Sequence, residues 1–298
     1  MICDNVLDTI GNTPLVRLDK IVKKYNLRGE IYAKIEYYSP GLSKKDRIAK
    51  YIIEKAIKEG NLKPGQTVIE QTSGNTGIGV ALVCAYLGYP FVAVMSKGNS
   101  IERVKMIEAF GGKVELVDQV KPHTGVSKED MELVEKRFKE LTEELGAFPV
   151  NQFNNIDNSW AHYFTTGEEI IKDLKDVDIF VDYVGTGGSF VGISKRLKDD
   201  HNCLCYKVVP DKENHGIQGG GYFKNIPFEE KGICDGEVVV SSEEAIQGME
   251  ELAKEEAIYG GISSGANLKG AIKLLEENPN KKVVILVNDV GLKYLSVK

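Results

Sequence analysis

Residues 67–77 read Thr67-Val68-Ile69-Glu70-Gln71-Thr72-Ser73-Gly74-Asn75-Thr76-Gly77. The apolar start of this stretch predicts a buried strand, and the small-residue segment over 78–85 predicts a helix. A strand that enters a helix through such a turn leaves free backbone N–H groups at the positive end of the helix dipole. The hydroxyls of Thr72, Ser73 and Thr76 add donors. We therefore predict a site for a small anion, although an ordinary capped helix start uses the same residue types.

The turn lacks two patterns that are typical of nucleotide sites. It has no phosphate-loop lysine, and its spacing does not read G-x-G-x-x-G. A carboxylate is therefore the favoured anion.

Composition limits the class of protein. The chain has 298 residues, 42% of them hydrophobic, and a net charge of −6. These values allow one large or two medium α/β domains and argue against a nucleic-acid-binding surface. The sequence has no long apolar stretch or signal-peptide pattern, and its five cysteines and four histidines lack metal-ligand spacing. We predict a cytoplasmic protein with no metal, no membrane segment and no nucleic-acid partner.

Short apolar runs alternate with amphipathic segments along the chain. Strands are predicted over 31–36, 67–70, 91–95, 113–117, 179–183, 205–209, 237–240 and 283–287. Helices are predicted over 46–59, 101–110, 127–145, 160–174, 190–198, 242–256 and 267–277. Nearly continuous apolar strands in such an alternation are typical of parallel sheets covered by helices on both faces. The predicted fold class is α/β.

A lysine pair precedes the first long helix, in Ser43-Lys44-Lys45-Asp46-Arg47. Lys45 falls near the first turn of that helix, where the positive end of the dipole lowers the pKa of an amine. A neutral amine is what Schiff-base chemistry needs. A solvated cluster of surface charges is the alternative interpretation.

A glycine-rich segment follows the strand predicted over 179–183. It reads Gly185-Thr186-Gly187-Gly188-Ser189 and leads into a helix. Glycine backbone and hydroxyl donors at a helix N-terminus predict a phosphate cup. The segment has no lysine for a triphosphate, so a single phosphate monoester fits better. A tight strand-to-helix turn is the alternative.

These parts together point to pyridoxal 5'-phosphate acting on an amino acid, and six ordered motifs support this. They are Gly11-Asn12-Thr13-Pro14-Leu15, Lys45-Asp46-Arg47, the turn over 72–77, Thr165-Thr166-Gly167-x-Glu169-Ile170, the cup over 185–189, and Gly260-Gly261-Ile262-Ser263-Ser264-Gly265-Ala266. Over nearly its whole length the chain resembles the cysteine synthase and cystathionine β-synthase family of fold-type II pyridoxal-phosphate enzymes.

The resemblance implies an organisation in two domains of the tryptophan synthase β-like kind, each with a mainly parallel twisted sheet. The loop over 146–153 breaks the alternation and is a plausible crossing between them. We predict a smaller mobile domain over 43–147 that carries the carboxylate-binding turn. Residues 1–42 and 148–298 would form the larger, phosphate-binding domain. Members of the family are typically homodimers.

The resemblance also implies roles for individual residues. Lys45 would form the Schiff base with the cofactor and move the Cα proton. Ser263 would face the pyridine nitrogen, with Ser264 as the neighbouring candidate. The cofactor phosphate would be held by Gly185, Thr186, Gly187, Gly188 and Ser189. The substrate carboxylate would be held by Thr72, Ser73, Gly74, Asn75, Thr76 and Gln152, with Asn75 also near the ring hydroxyl.

A serine at the pyridine nitrogen makes the ring a weaker electron sink than an aspartate would. Loss of a β-leaving group relieves the demand for a full carbanion. The predicted chemistry is β-elimination followed by addition of a nucleophile, as in cysteine formation from O-acetylserine and sulfide. One alternative uses cysteine itself as the β-substrate and releases hydrogen sulfide, with water or another thiol as the nucleophile. A serine or threonine dehydratase and a non-catalytic binding protein are further alternatives.

Three departures from the family pattern leave the substrate open. Lys44 replaces a small or apolar residue. Its charge could lower the pKa of Lys45 further, but we expect its side chain to point to solvent. Tyr222-Phe223 replaces smaller residues in a lid-like segment and would narrow the mouth of the site. Asn288-Asp289 stands where relatives show an Asp-Ser or Ser-Ser pair.

Asp235 follows the lid-like segment, in Ile233-Cys234-Asp235-Gly236. It is a candidate general base for water if cysteine is the substrate. A turn residue before the strand over 237–240 is the alternative interpretation.

Overall fold

The computed structural model describes residues 2–120, 126–213, 215–218, 220, 226 and 228–296. The strands within these residues are β1 Leu15–Arg17, β2 Gly29–Ile35, β3 Val68–Gln71, β4 Phe91–Ser96, β5 Lys113–Val117, β6 Phe148–Pro149, β7 Ile179–Tyr183, β8 Leu204–Pro210, β9 Gly236–Val240 and β10 Lys281–Val287. The helices are α1 Asp19–Lys24, α2 Lys45–Lys58, α3 Asn75–Leu87, α4 Ile101–Ala109, α5 Lys128–Leu145, α6 Asp157–His162, α7 Glu168–Asp173, α8 Gly188–Asp200, α9 Ser242–Glu256 and α10 Ile262–Glu277.

The strands form two separate sheets. The larger sheet has the order β1-β2-β10-β7-β8-β9, and the smaller has the order β5-β4-β3-β6. Neighbouring strands pair in parallel, apart from the antiparallel pair of β1 and β2 at one edge. Helices pack on these sheets, and the central strands are buried along almost their whole length. The α/β prediction with mainly parallel sheets is confirmed.

The smaller sheet ends later in the sequence than predicted. Strand β6 pairs with β3, with Phe148 opposite Val68. The predicted boundary after residue 147 is therefore too early, because it cuts this short strand from its own sheet. The mobility of the smaller domain stays a prediction.

Residues 160–174 form a helix with an irregular centre, not the single regular helix predicted. A π-turn over Tyr163–Gly167 joins α6 to α7. The hydroxyl of Thr165 donates to the carbonyl of Ala161 at 2.6 Å, which competes with the regular backbone pattern.

A buried ion network ties the first turn of α2 to the larger sheet. Arg47 Nε donates to Glu36 Oε2 at 2.6 Å, and its Nη1 donates to Glu169 Oε1 at 2.6 Å. Lys34 Nζ lies 3.0 Å from Glu169 Oε2, and Thr13 Oγ1 donates to Glu36 Oε1 at 2.7 Å. The network thus joins three of the sequence motifs, those that contain Thr13, Arg47 and Glu169.

Electrostatics stabilise the charged form of Glu169. Burial alone would raise the pKa of this carboxyl, but hydrogen bonds and charge from Arg47, with the charge of Lys34, lower the pKa to about 2. A depressed carboxyl pKa contributes stability that is present above about pH 4.5 and is lost as pH falls toward 2. The network should therefore hold throughout the neutral range.

We expect Arg47→Met to lower the free energy of unfolding by about 3–5 kcal/mol, because it leaves buried Glu36 without its cation and Glu169 with Lys34 alone. Urea unfolding followed by circular dichroism measures this as a lower midpoint. Lys139→Met is the control, since Lys139 pairs with Glu135 on an exposed helix face. Its loss should cost less than about 1 kcal/mol. A similarly small effect in both variants would contradict the structural role of the network.

Candidate active site

The carboxyl ends of β3 and β7 face one cavity. The turn into α3 and the loop into α8 lie at these ends, and the first residue of α2, Lys45, lies between them. The cavity encloses about 110 Å³, several times the space that one water molecule needs. Its lining includes Lys45, Thr72, Ser73, Asn75, Thr76, Gln152, Gly185, Thr186 and Gln218. The structure therefore brings the predicted turn, lysine and cup together.

The turn over 72–77 is shaped by its own hydroxyl and by a glycine. Thr72 Oγ1 accepts hydrogen bonds from the backbone N–H groups of Gly74 at 2.9 Å and Gly77 at 3.2 Å. Gly74 has φ +133°, and a side chain there would overlap that of Arg103. Only glycine fits this position without strain. Thr72 keeps its own hydroxyl proton free to be donated into the cavity.

The Asn75 side chain is held from both ends by residues near the C-terminus. Asn75 Nδ2 donates to Asp289 Oδ2 at 2.7 Å, and Asn75 Oδ1 accepts from Lys293 Nζ at 2.8 Å. Tyr294 donates to the same Asp289 oxygen at 2.6 Å. These contacts fix the orientation of the Asn75 amide and connect the turn to the larger sheet.

The side chain of Gln152 lies against the turn over 72–77 and is hydrogen-bonded to it. Thr76 Oγ1 donates to Gln152 Oε1 at 2.6 Å, and Gln152 Nε2 donates to the carbonyl of Gln71 at 3.1 Å. The backbone N–H of Gln152 donates to Glu70 at 3.3 Å. Burial raises the pKa of Glu70 to about 8, against the lowering effect of hydrogen bonds from Gln152 and Asn151.

Lys45 has the properties of a reactive amine. Its Nζ reaches across the cavity and donates to Thr186 Oγ1 at 3.4 Å. Burial, followed by the positive charge of Lys44, lowers the pKa of Lys45 to about 7, although Asp182 and Glu70 act in the opposite direction. A large fraction of this amine is therefore neutral at physiological pH.

Lys44 does not point to solvent, so that prediction is wrong. Its Nζ lies 3.0 and 2.9 Å from the two carboxylate oxygens of Asp182 and 2.8 Å from Ser189 Oγ. Asp182 is completely buried near the end of β7. Asp182 lies 138 residues after Lys44 in the sequence, and no sequence motif predicts an ion pair between residues so far apart.

The glycine-rich segment forms a cup at the start of α8. Gly187 has φ +89°, and a side chain there would overlap Ile226, so glycine is required. Asn158 Nδ2 donates to Thr186 Oγ1 at 2.8 Å and so positions that hydroxyl. Asn158 was not predicted as a site residue, because it lies on α6, outside the sequence motifs.

Ser263, and not Ser264, lines a second pocket beside this cavity. The two pockets share Lys45, Asn75, Gly185, Thr186 and Gln218 in their linings. Asn288 Nδ2 donates to Ser263 Oγ at 3.1 Å. Ser264 is completely buried and accepts a hydrogen bond from the backbone N–H of Asn288 at 3.0 Å. Of the two serines, Ser263 is therefore the one placed to contact a ligand.

The residues present fit pyridoxal 5'-phosphate. Among the described residues, two buried oxygens that line the cavity, Asn288 Oδ1 and Gln218 Oε1, have no hydrogen-bond partner within the protein. Buried polar atoms are rarely left unpaired unless a ligand or water satisfies them. With Lys45, the α8 cup and Ser263 around them, the cavity offers partners for a phosphate, a carbonyl and a ring.

The structure places Asp235 away from this cavity. Asp235 forms an ion pair with Lys198 and accepts a hydrogen bond from the backbone N–H of Cys205. Cys205 lies at the beginning of β8, whereas the cavity lies at the carboxyl ends of the parallel strands. The prediction of Asp235 as a general base is wrong, and its structural role at the strand start is the observed one. Tyr222 and Phe223 lie outside the described residues.

The described part of the chain lacks two further features. No helix there combines the length and apolar character needed to cross a bilayer. No group of three or more His, Cys, Asp or Glu side chains there is placed to hold a metal ion.

Comparison with known proteins agrees with this geometry. A family model described as "Pyridoxal-phosphate dependent enzyme" matches residues 6–289. A cysteine synthase of Staphylococcus aureus (strain Mu50) is 38% identical over 98% of this chain and 96% of the relative, and cysteine synthase B of Campylobacter jejuni is 36% identical over 98% and 97%.

A solved structure gives the same result. A hydrogen sulfide-producing enzyme from Fusobacterium nucleatum superposes with a TM-score of 0.91 at 40% identity, over 99% of this chain and 100% of that one. The chain is therefore a β-replacing enzyme that uses pyridoxal 5'-phosphate, and it belongs to the family of pyridoxal-phosphate-dependent enzymes that includes the cysteine synthases.

Proposed function

We propose that the protein replaces the β-substituent of an L-serine-type amino acid, such as O-acetylserine, with sulfide to form L-cysteine. The observation that carries this proposal is the placement of an anion-binding turn, a partly neutral lysine and a phosphate cup around one cavity. The cysteine synthase relatives support the choice of substrate.

The turn would bind and orient the amino-acid substrate by its α-carboxylate. Backbone N–H groups at the start of α3 and the hydroxyls of Thr72 and Ser73 would be the donors. The Gly74 N–H and the Thr76 hydroxyl already donate to Thr72 and Gln152 and so shape the turn. Asn75 and Gln152 complete the ring of contacts, each already held in place by neighbours. Hydrogen bonds to a charged group are worth roughly 1.5–3 kcal/mol each, so this turn should dominate substrate affinity.

The cofactor would be held at both of its ends. Gly185 through Ser189 would bind the phosphate at the N-terminus of α8. Ser263 accepts a hydrogen bond from Asn288, which leaves its own proton to donate to the ring nitrogen. When bound, the cofactor withdraws electrons from the substrate Cα and so lets the β-substituent leave.

Lys45 would attach the cofactor and then hold the proton taken from the substrate Cα. Its Nζ serves this purpose because burial and the charge of Lys44 make the neutral amine accessible near pH 7. One wall of the cavity is apolar and includes Val126, Met131 and Val134.

A second candidate uses L-cysteine as the β-substrate and releases hydrogen sulfide. The likeness to the hydrogen sulfide-producing enzyme of Fusobacterium nucleatum favours it. The family resemblance also supports a homodimer in the cytoplasm, for which sedimentation would give twice the chain mass of 32.9 kDa.

The two candidates are separated by their products. The purified enzyme is incubated with O-acetylserine and sulfide, and separately with L-cysteine alone. We expect L-cysteine in the first reaction at a rate well above sulfide release in the second. Faster sulfide release would support the second candidate, and pyruvate as the main product of both reactions would contradict β-replacement. Lys45→Ala is the control for background chemistry.

We expect cofactor capture by the apoenzyme to depend on pH through Lys45. Since only the neutral amine reacts, the rate constant should rise with pH and level off above about pH 7. Stopped-flow absorbance at about 410 nm, a usual wavelength for a lysine-bound cofactor, follows the reaction. A lysine with the ordinary pKa of 10.5 would instead give a rate that still rises at pH 9. That result, or an unchanged band in Lys45→Ala, would contradict the role of Lys45.

A further inference from the structure

Lys44 is a buried cation beside the phosphate cup. Its side chain is 10% exposed, and it contacts both oxygens of Asp182 and the hydroxyl of Ser189. Asp182 lies near the end of β7, and Ser189 lies in the first turn of α8. One ammonium group therefore bridges the two sides of the glycine-rich loop that forms the cup.

Lys44 and Ser189 also line a pocket that a ligand can enter. This is the pocket that contains Ser263, and Gly185 and Thr186 line it as well. The lysines of this lining are Lys44 and Lys45. Lys45 is taken up by its own role at the cofactor carbonyl. Lys44 is therefore the lining cation that remains for a phosphate.

A phosphate bound in the cup needs positively charged groups nearby. A phosphate monoester carries about −1.5 to −2 at pH 7, whereas a helix N-terminus supplies the equivalent of roughly +0.5. Asp182 neutralises Lys44 in the protein alone, and Asn267 Nδ2 donates to Asp182 Oδ1 at 3.3 Å and holds that carboxylate in place. Ser189 also donates to Asp182, so its hydroxyl lies between the ion pair and the cup.

We propose that Lys44 is a phosphate-positioning residue: its ammonium group, whose charge is balanced by Asp182, holds Ser189 in the first turn of α8 and so makes cofactor capture depend on the phosphate. This inference rests on the family's cofactor and not on the choice between O-acetylserine and cysteine. It assigns a function to the one residue of the lysine pair that the reaction itself does not use.

The test compares two forms of the cofactor. Apoenzyme is titrated with pyridoxal 5'-phosphate and with pyridoxal, which has the carbonyl and ring but no phosphate. We expect Lys44→Met to raise the Kd for pyridoxal 5'-phosphate by about tenfold or more and the Kd for pyridoxal by less than about twofold. Lys50→Met is the matched control, because Lys50 lies on the same helix and contacts Asp8 and the carbonyl of Leu7, none of which lines the cup. It should change neither Kd.

A structural role alone would give a different result. If Lys44 only stabilises the fold, Lys44→Met weakens both ligands equally or neither, and the proposal is overturned. Because Lys44→Met leaves Asp182 buried and unpaired, the double variant Lys44→Met with Asp182→Asn provides a neutral pair of similar shape. It should keep the reduced preference for pyridoxal 5'-phosphate, and recovery of the wild-type preference would overturn the proposal. Wild-type titrations remain valid whichever nucleophile the enzyme uses.

Discussion

The burial of every charged neighbour of Lys45 is the constraint on which the site depends. Lys44 pairs with Asp182, and Arg47 pairs with two carboxylates of the larger sheet and α7. Asp46 accepts a hydrogen bond from the backbone N–H of Gly41. The first turn of α2 is thus held on all sides, and Lys45 is left as the residue of this turn whose amine faces the cavity.

The two sheets contribute charges of the same sign to that cavity. A strand of each sheet leads into a helix N-terminus there, and both helices direct backbone N–H groups inward, from α3 at the proposed carboxylate site and from α8 at the proposed phosphate cup. Burial, followed by the positive charge of Lys44, keeps the pKa of Lys45 low. Hydrogen bonds of Asn75 with Asp289 and Lys293 hold the start of α3 against the C-terminal residues of the described chain.

Local sequence patterns predicted much of this structure. Strands β5 and β7 and helix α9 have the predicted bounds, because the alternating residues of β5, the apolar run of β7 and the Ser-Glu capping box of α9 are local signals. Strands β1 and β6 were missed, since two or three residues carry no periodicity. Lys44 and Asp235 were misjudged for a common reason: their partners lie 138 and 37 residues away in the sequence, and only the folded chain reveals them. The anion turn, the lysine and the cup were found because glycine and hydroxyl residues at strand ends have local meaning.

We propose that Lys45, and not its neighbour Lys44, bonds to the cofactor. Borohydride reduction of the holoenzyme makes this bond permanent, and fragmentation of the peptide that contains residues 43–47 locates it. We expect the pyridoxyl group on Lys45 alone, with Lys44 unmodified. A pyridoxyl group on Lys44, or one divided between the two lysines, would contradict it.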